Sequence, residues 1–108
     1  MISDDDIERA VDYLRSNARS AAQAKANRIY MDEFRKVVKS QIMKEGDGAL
    51  GAQERDAYAD PRYSQHLVVL RDAVEKDEYH RWMMVAAEAK IEAWRTQRAT
   101  ERALGKVG

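Results

Sequence analysis

Apolar residues recur along most of this chain at steps of three and four, the spacing of one helix face. A first series runs Ile7, Val11, Leu14, Ala18, Ala21 or Ala22, Ile29 or Tyr30, Phe34, Val37 or Val38, and Ile42. Ser3 precedes it as an N-cap candidate, and Asp6 three residues on gives a variant of the capping box. Asp4, Asp5 and Asp6 suit the positive end of a helix dipole. Lys44 lies near the other end, and Gly46 can supply a left-handed residue just past it. The pattern predicts a helix over about 4–45, roughly 60 Å long.

A second series runs Tyr63, Leu67, Leu70, Val74, then His80 or Arg81, Met84, Ala87, Ile91 and Trp94. Asp60 is its N-cap candidate, and Pro61 fits the first helical position, where a missing N–H is harmless. Gly105 suggests an end, so the second helix spans about 61–104. Between the two lie Gly46, Gly48 and Gly51, followed by the stretch 52–59, which predicts a short helix. Tyr58 and Tyr63 flank the corner and pack over the turn, or serve in binding. No run alternates apolar and polar residues between turn signals, so no strand is expected. Two arms of matched length joined by a compact connector predict an all-α fold, a long antiparallel helical hairpin, as a single domain over 1–108.

Three details of the pattern go further. Trp82, Met83 and Met84 are consecutive and cover about 200° of helix surface; Val68, Val69 and Leu70 do the same nearer the corner. One partner helix covers less than that, so a second seam is expected, most simply a homodimer forming a four-helix bundle. The alternative is a different protein docking on the same face, with Trp82, Met83, Met84, Trp94, Val68 and Val69 as the candidate interface. Next, Asp77, Glu78 and Arg81 interrupt the second series at the level of Arg28. They read either as a polar layer that fixes register or as a solvated face. Last, the small residues of 20–26 read as a close helix–helix contact roughly opposite Ala86, Ala87 and Ala89, or as a yielding segment.

Charge sharpens the hairpin. The 19 acids and 19 bases cancel, but they are segregated. Residues 1–12 carry five acids against one base, 13–44 eight bases against two acids, and 45–60 five acids against one base. The last segment is basic again, with Arg95, Arg98, Arg102 and Lys106. Folding back at the connector sets that end beside Asp4, Asp5, Asp6, Glu8 and Asp12.

Composition narrows the chemistry. There is no cysteine, which removes disulfides and thiolate metal sites and makes a reducing cytoplasm the expected compartment. No signal peptide and no membrane span are expected. His66 and His80 stand 14 residues apart on one helix, about 21 Å, too far to share an ion within one chain. Glu-x-x-His repeats are absent, as are the phosphate-loop and dinucleotide glycine patterns. Asp47, Glu45 and Glu54 would repel a phosphate from the glycines. No Ser–His arrangement for a nucleophile is apparent, so neither enzymatic activity nor a cofactor is expected. A basic stripe on the first helix, Arg15, Arg19, Lys25, Arg28, Arg35, Lys36 and Lys39, interleaved with Tyr30 and Phe34, gives nucleic-acid binding as the alternative.

The run from Ala52 to Tyr63 (AQERDAYADPRY), His66-Leu67, and Ile91-Glu92-Ala93-Trp94-Arg95-Thr96-Gln97 carry a resemblance. Ala24-Lys25-Ala26-Asn27-Arg28 and Glu33-Phe34-Arg35-Lys36 fit it too. Together they resemble small helical phage and prophage proteins of uncharacterised function, some encoded near phage recombination or replication genes. The resemblance covers most of the chain and carries no catalytic residue. It implies a non-enzymatic accessory or adaptor protein, acting by self-association and by contact with a protein of phage DNA metabolism.

Overall fold

The computed structural model describes the backbone of residues 1–107 and the side chains of residues 1–105. Among the described residues three helices follow one another: α1 (Asp4–Glu45), α2 (Leu50–Ala59) and α3 (Pro61–Val107). No strand occurs among the described residues. The fold is all-α, as the periodicity predicts. No helix is long and apolar enough to cross a membrane among the described residues. The chain divides into two compact units, Ala22–Glu78 and Met1–Ala21 with Tyr79–Gly108.

The Ala22–Glu78 unit contains the corner. Ala24, Ile42, Ala57, Tyr63 and Ala73 are buried there. Ile42, Ala57 and Tyr63 form its core, with Val38 and Met43 packed against them. Ala57 is fully buried, because α2 lays it against residues from both long helices. Tyr58 and Tyr63 meet edge to face at 5.2 Å, so the two tyrosines do pack at the corner.

Helix α2 starts at Leu50, two residues before the predicted segment, and takes Gly51 into its first turn. Its start is fixed by Gln53, whose backbone N–H donates to the Ala49 carbonyl at 3.0 Å. The Gln53 side chain also donates to the Gly48 carbonyl, again at 3.0 Å. The left-handed residue of the connector is Gly48, at φ +99°, and not Gly46 as expected. Gly46 instead donates its N–H to the Met43 carbonyl at 3.1 Å, tightening the end of α1.

Asp60 is the only residue between α2 and α3, and it serves both. Its N–H donates to the Ala57 carbonyl at 3.2 Å, closing α2. Its carboxylate accepts the Arg62 backbone N–H at 2.8 Å, opening α3 as an N-cap. Pro61 occupies the first helical position, as predicted. The Arg62 guanidinium then donates to Glu45 at 3.1 and 2.7 Å and to Asp60 at 3.1 and 3.0 Å. One arginine thereby ties the end of α1 to the start of α3. Arg62 holds the carboxyls of Glu45 and Asp60 below their usual range, chiefly through these hydrogen bonds. Its own pKa is raised in return, by Asp60 first and Glu45 second.

Within this unit the less exposed positions of α1 are Ala24, Arg28, Met31, Phe34, Arg35, Val38, Lys39, Ile42 and Met43. Those of α3 are Tyr63, His66, Leu70, Ala73, Asp77 and Glu78. The predicted phase is therefore partly corrected. Ile29, Tyr30 and Val37 of α1, and Leu67 and Val74 of α3, are exposed. Polar contacts turn the helices away from the purely apolar phase. His66 Nε2 donates to the Met31 carbonyl at 2.7 Å, and Arg28 Nε donates to Asp77 Oδ2 at 2.5 Å. The break at Asp77 is thus a paired polar layer facing Arg28.

The other unit holds the chain's beginning. Ser3 and Asp6 form a reciprocal capping box: Ser3 N–H donates to Asp6 at 3.0 Å, and Asp6 N–H to the Ser3 hydroxyl at 3.1 Å. Arg98 donates to Asp4 at 2.7 Å, the meeting of acidic start and basic end that the charge pattern predicts. Arg95 instead pairs along its own helix with Glu92, and the side chain of Lys106 lies outside the described residues. Ala10 is buried, and Ile7, Leu14, Asn17, Met84, Ala87, Ile91 and Trp94 are half-buried. Ala86 and Ala87 line a groove with Ala10 and Tyr13, not with the small residues of 20–26. The expected pairing of the two small-residue zones is displaced by about three turns. Helix α3 runs through Gly105 to Val107, so Gly105 does not end it; a helical glycine costs only about 1 kcal/mol relative to alanine.

Candidate interaction surface

Few side chains are well buried. Among the described residues six hydrophobic ones are, three of them alanines of the Ala22–Glu78 unit, and no large side chain is fully enclosed. Large apolar side chains lie outside instead. In the Ala22–Glu78 unit these include Ile29, Tyr30, Val37, Val68 and Val69, with Leu50 and Tyr58 at the corner. In the other unit they include Val11, Tyr79, Trp82, Met83 and Val85.

The six candidate interface residues divide accordingly. Val68 and Val69 are exposed in one unit; Trp82 and Met83 are exposed in the other. Met84 and Trp94 are half-buried. Trp94 carries the Arg98 guanidinium 5.5 Å from its ring centroid, and its indole N–H helps hold the Asp4 carboxyl below its usual range, after the larger effect of Arg98. Trp82 is 59% exposed and carries the Arg81 guanidinium at 4.9 Å. Tyr79, 61% exposed, was not singled out by the sequence pattern. Its signal is present: Tyr79, Trp82, Ala86, Ala89 and Ala93 follow steps of three and four along α3, with Lys90 at the edge of the same face.

This face adjoins a shallow groove of about 230 Å³ whose walls include Ala10 and Tyr13 of α1 and Met83, Ala86 and Lys90 of α3. Helix α3 contributes alanines where a larger residue would fill the space. The chemistry is that of a docking surface: aromatic and thioether anchors beside a small-residue depression.

The basic candidates are less uniform than a stripe. Arg28 pairs with Asp77, Arg35 with Asp32, Lys36 with Glu33 and Lys39 with Glu54. Lys39 also donates to the Tyr58 hydroxyl at 3.0 Å and sits 4.7 Å from that ring's centroid. Its pKa is raised, first by Glu54 and then by Tyr58. Arg15, Arg19 and Lys25 are exposed, and among the described ion pairs none involves them. Tyr30 and Phe34 stack at 5.7 Å, and Phe34 meets His66 at 5.5 Å, so Phe34 covers the seam.

His66 is held by the Met31 carbonyl, whereas His80 Nδ1 is buried without a hydrogen-bond partner. Among the described residues no three His, Asp or Glu side chains gather to hold one metal ion. Compared with protein-family models, with curated proteins and with solved structures, the chain matches none.

Proposed function

We propose that this protein is a helical interaction module that self-associates, in the simplest case as a dimer forming a four-helix bundle. A non-enzymatic accessory or adaptor role is the reading its surfaces support best. The carrying observation is the large apolar side chains left outside in each unit, Val68 and Val69 in one and Tyr79, Trp82 and Met83 in the other, since a soluble monomer keeps contiguous apolar patches small. The exposed aromatic and valine side chains supply apolar area for such a seam. The resemblance to small phage proteins supports an accessory place in phage DNA metabolism, and a coiled-coil arrangement of the bundle is consistent with the three-and-four spacing.

Sedimentation equilibrium from low to high micromolar concentration tests this reading. A dimer is expected, and a monomer throughout would overturn it. The nucleic-acid reading has narrower support: it rests on Arg15, Arg19 and Lys25, since the other four basic candidates already face carboxylates.

A further inference from the structure

We infer that the second copy docks on the groove face of α3, antiparallel, about a two-fold axis at Ala86; this rests on the self-association proposed above and specifies its seam. A second copy fits this face because the face is self-complementary. In the Met1–Ala21 with Tyr79–Gly108 unit, the exposed aromatic residues of α3 stand on one side of Ala86 and the exposed alanines on the other.

A two-fold interface brings residue i of one copy to residue j of the other, and j to i. With the axis at Ala86, an antiparallel pair of α3 helices matches levels equally far from 86, and flanking residues meet where they lie on the same side of the seam. Tyr79 then meets Ala93 of the second copy, Trp82 meets Ala89, and Met83 meets Lys90. Each large side chain faces a small one or a flexible stem, and Ala86 faces itself, where the helices come closest. Large-against-small matching is what a close-packed seam needs. Lys90 can lay its methylenes along the Met83 side chain while its ammonium stays in water. A parallel pairing would instead oppose Trp82 to Trp82 and Lys90 to Lys90, leaving the alanine half unfilled. The shallow groove beside Ala10 and Tyr13 accepts the edge of the incoming helix.

The cysteine-free sequence gives a direct test by disulfide trapping. Tyr79→Cys and Ala93→Cys proteins are prepared separately, checked for unchanged helix content, and oxidised alone and mixed. The expected result is a covalent dimer in the mixture only, because positions 79 and 93 on one helix lie about 21 Å apart. Ala86→Cys should cross-link by itself. Cross-linking of Tyr79→Cys alone would show a parallel seam and overturn the inference. A wild-type dimer by sedimentation with no cross-link in any sample would overturn this seam while leaving self-association standing; a wild-type monomer would remove both. As a second readout, Ala86→Arg should weaken dimerisation about 100-fold or more, since it sets two like charges against each other at the axis. An unchanged dissociation constant would refute the placement. In a Trp94→Phe background, Trp82 emission should shift to the blue as concentration rises, and a constant spectrum would count against the seam.

Discussion

The Arg28–Asp77 layer offers a quantitative test of how α1 and α3 are held in register within the Ala22–Glu78 unit. Arg28 Nε lies 2.5 Å from Asp77 Oδ2, with the two side chains 34% and 13% exposed. At an effective dielectric constant of about 20, charges at that distance attract by roughly 7 kcal/mol. Desolvating the carboxylate and screening of the half-exposed arginine offset most of this. A net coupling of about 2 kcal/mol is expected, in the range of hydrogen bonds to charged groups. The single substitutions should be unequal. Arg28→Ala leaves the more buried partner, Asp77, without its counter-ion and should cost about 3 kcal/mol. Asp77→Ala frees an arginine that can reach water and should cost roughly 1–2 kcal/mol. Urea unfolding followed by circular dichroism, on the two single variants and the double variant, measures all three quantities. A coupling below about 0.5 kcal/mol, the value of an ordinary surface pair, would refute the reasoning. So would a larger loss for Asp77→Ala than for Arg28→Ala.

Three further outcomes are expected. Ile42→Ala opens a cavity beside Ala57 and Tyr63 and should destabilise by about 2–5 kcal/mol, read as a lower urea midpoint; an unchanged midpoint would mean that the corner core contributes nothing. The carboxyls of Asp4, Asp6, Glu45 and Asp60 all lie below their usual values of 3.8 and 4.5 in the folded chain. Their stabilising effect is therefore complete above those values and lost as pH falls through the folded ones, so the melting temperature should hold from pH 7 to about 5 and then fall steadily; a rise on acidification would contradict the assignments. Lys39 has the opposite sense: its raised pKa gives stability below its usual 10.5 that disappears as pH rises further, and Glu54→Gln should abolish that part of the alkaline loss.

Much of the architecture is legible in the sequence because it depends on local rules. Ser3 and Asp6, then Asp60 and Pro61, announce helix starts through hydrogen bonds made within a few residues, and these form as read. Segregated charge announces the Asp4–Arg98 contact for a similarly simple reason. Helix phase is less legible. Val11, Leu67 and Val74 satisfy the apolar period as well as their neighbours, yet the inward face follows Ala10, His66 and Ala73. Steps of three and four admit two phases when apolar residues flank the true seam, and hydrogen bonds such as His66 to Met31 decide between them. The left-handed glycine is a further case: Gly46 and Gly48 are equally permissive, and only the side chain of Gln53, donating to the Gly48 carbonyl, selects the second. The basic stripe is visible as residue types, but its neutralisation by Asp32, Glu33, Glu54 and Asp77 depends on which carboxylates the folded chain brings within reach. Tyr79 was hidden by the polar residues around it.

The two sides of the corner differ in what they can absorb. Between α1 and α2 lie four residues, and the left-handed Gly48 has nothing within 4 Å of where a side chain would begin. Between α2 and α3 lies Asp60 alone, engaged through its N–H, its carbonyl and its carboxylate at once. An added residue at Asp60 would turn α3 by about 100°, carrying Tyr63 out of the corner core and Arg62 away from Glu45. An affinity tag, a fluorophore or an inserted domain therefore belongs in 46–49, where the chain can lengthen without changing the direction in which any helix presents its face. Natural length variation in such a corner should gather on that same side.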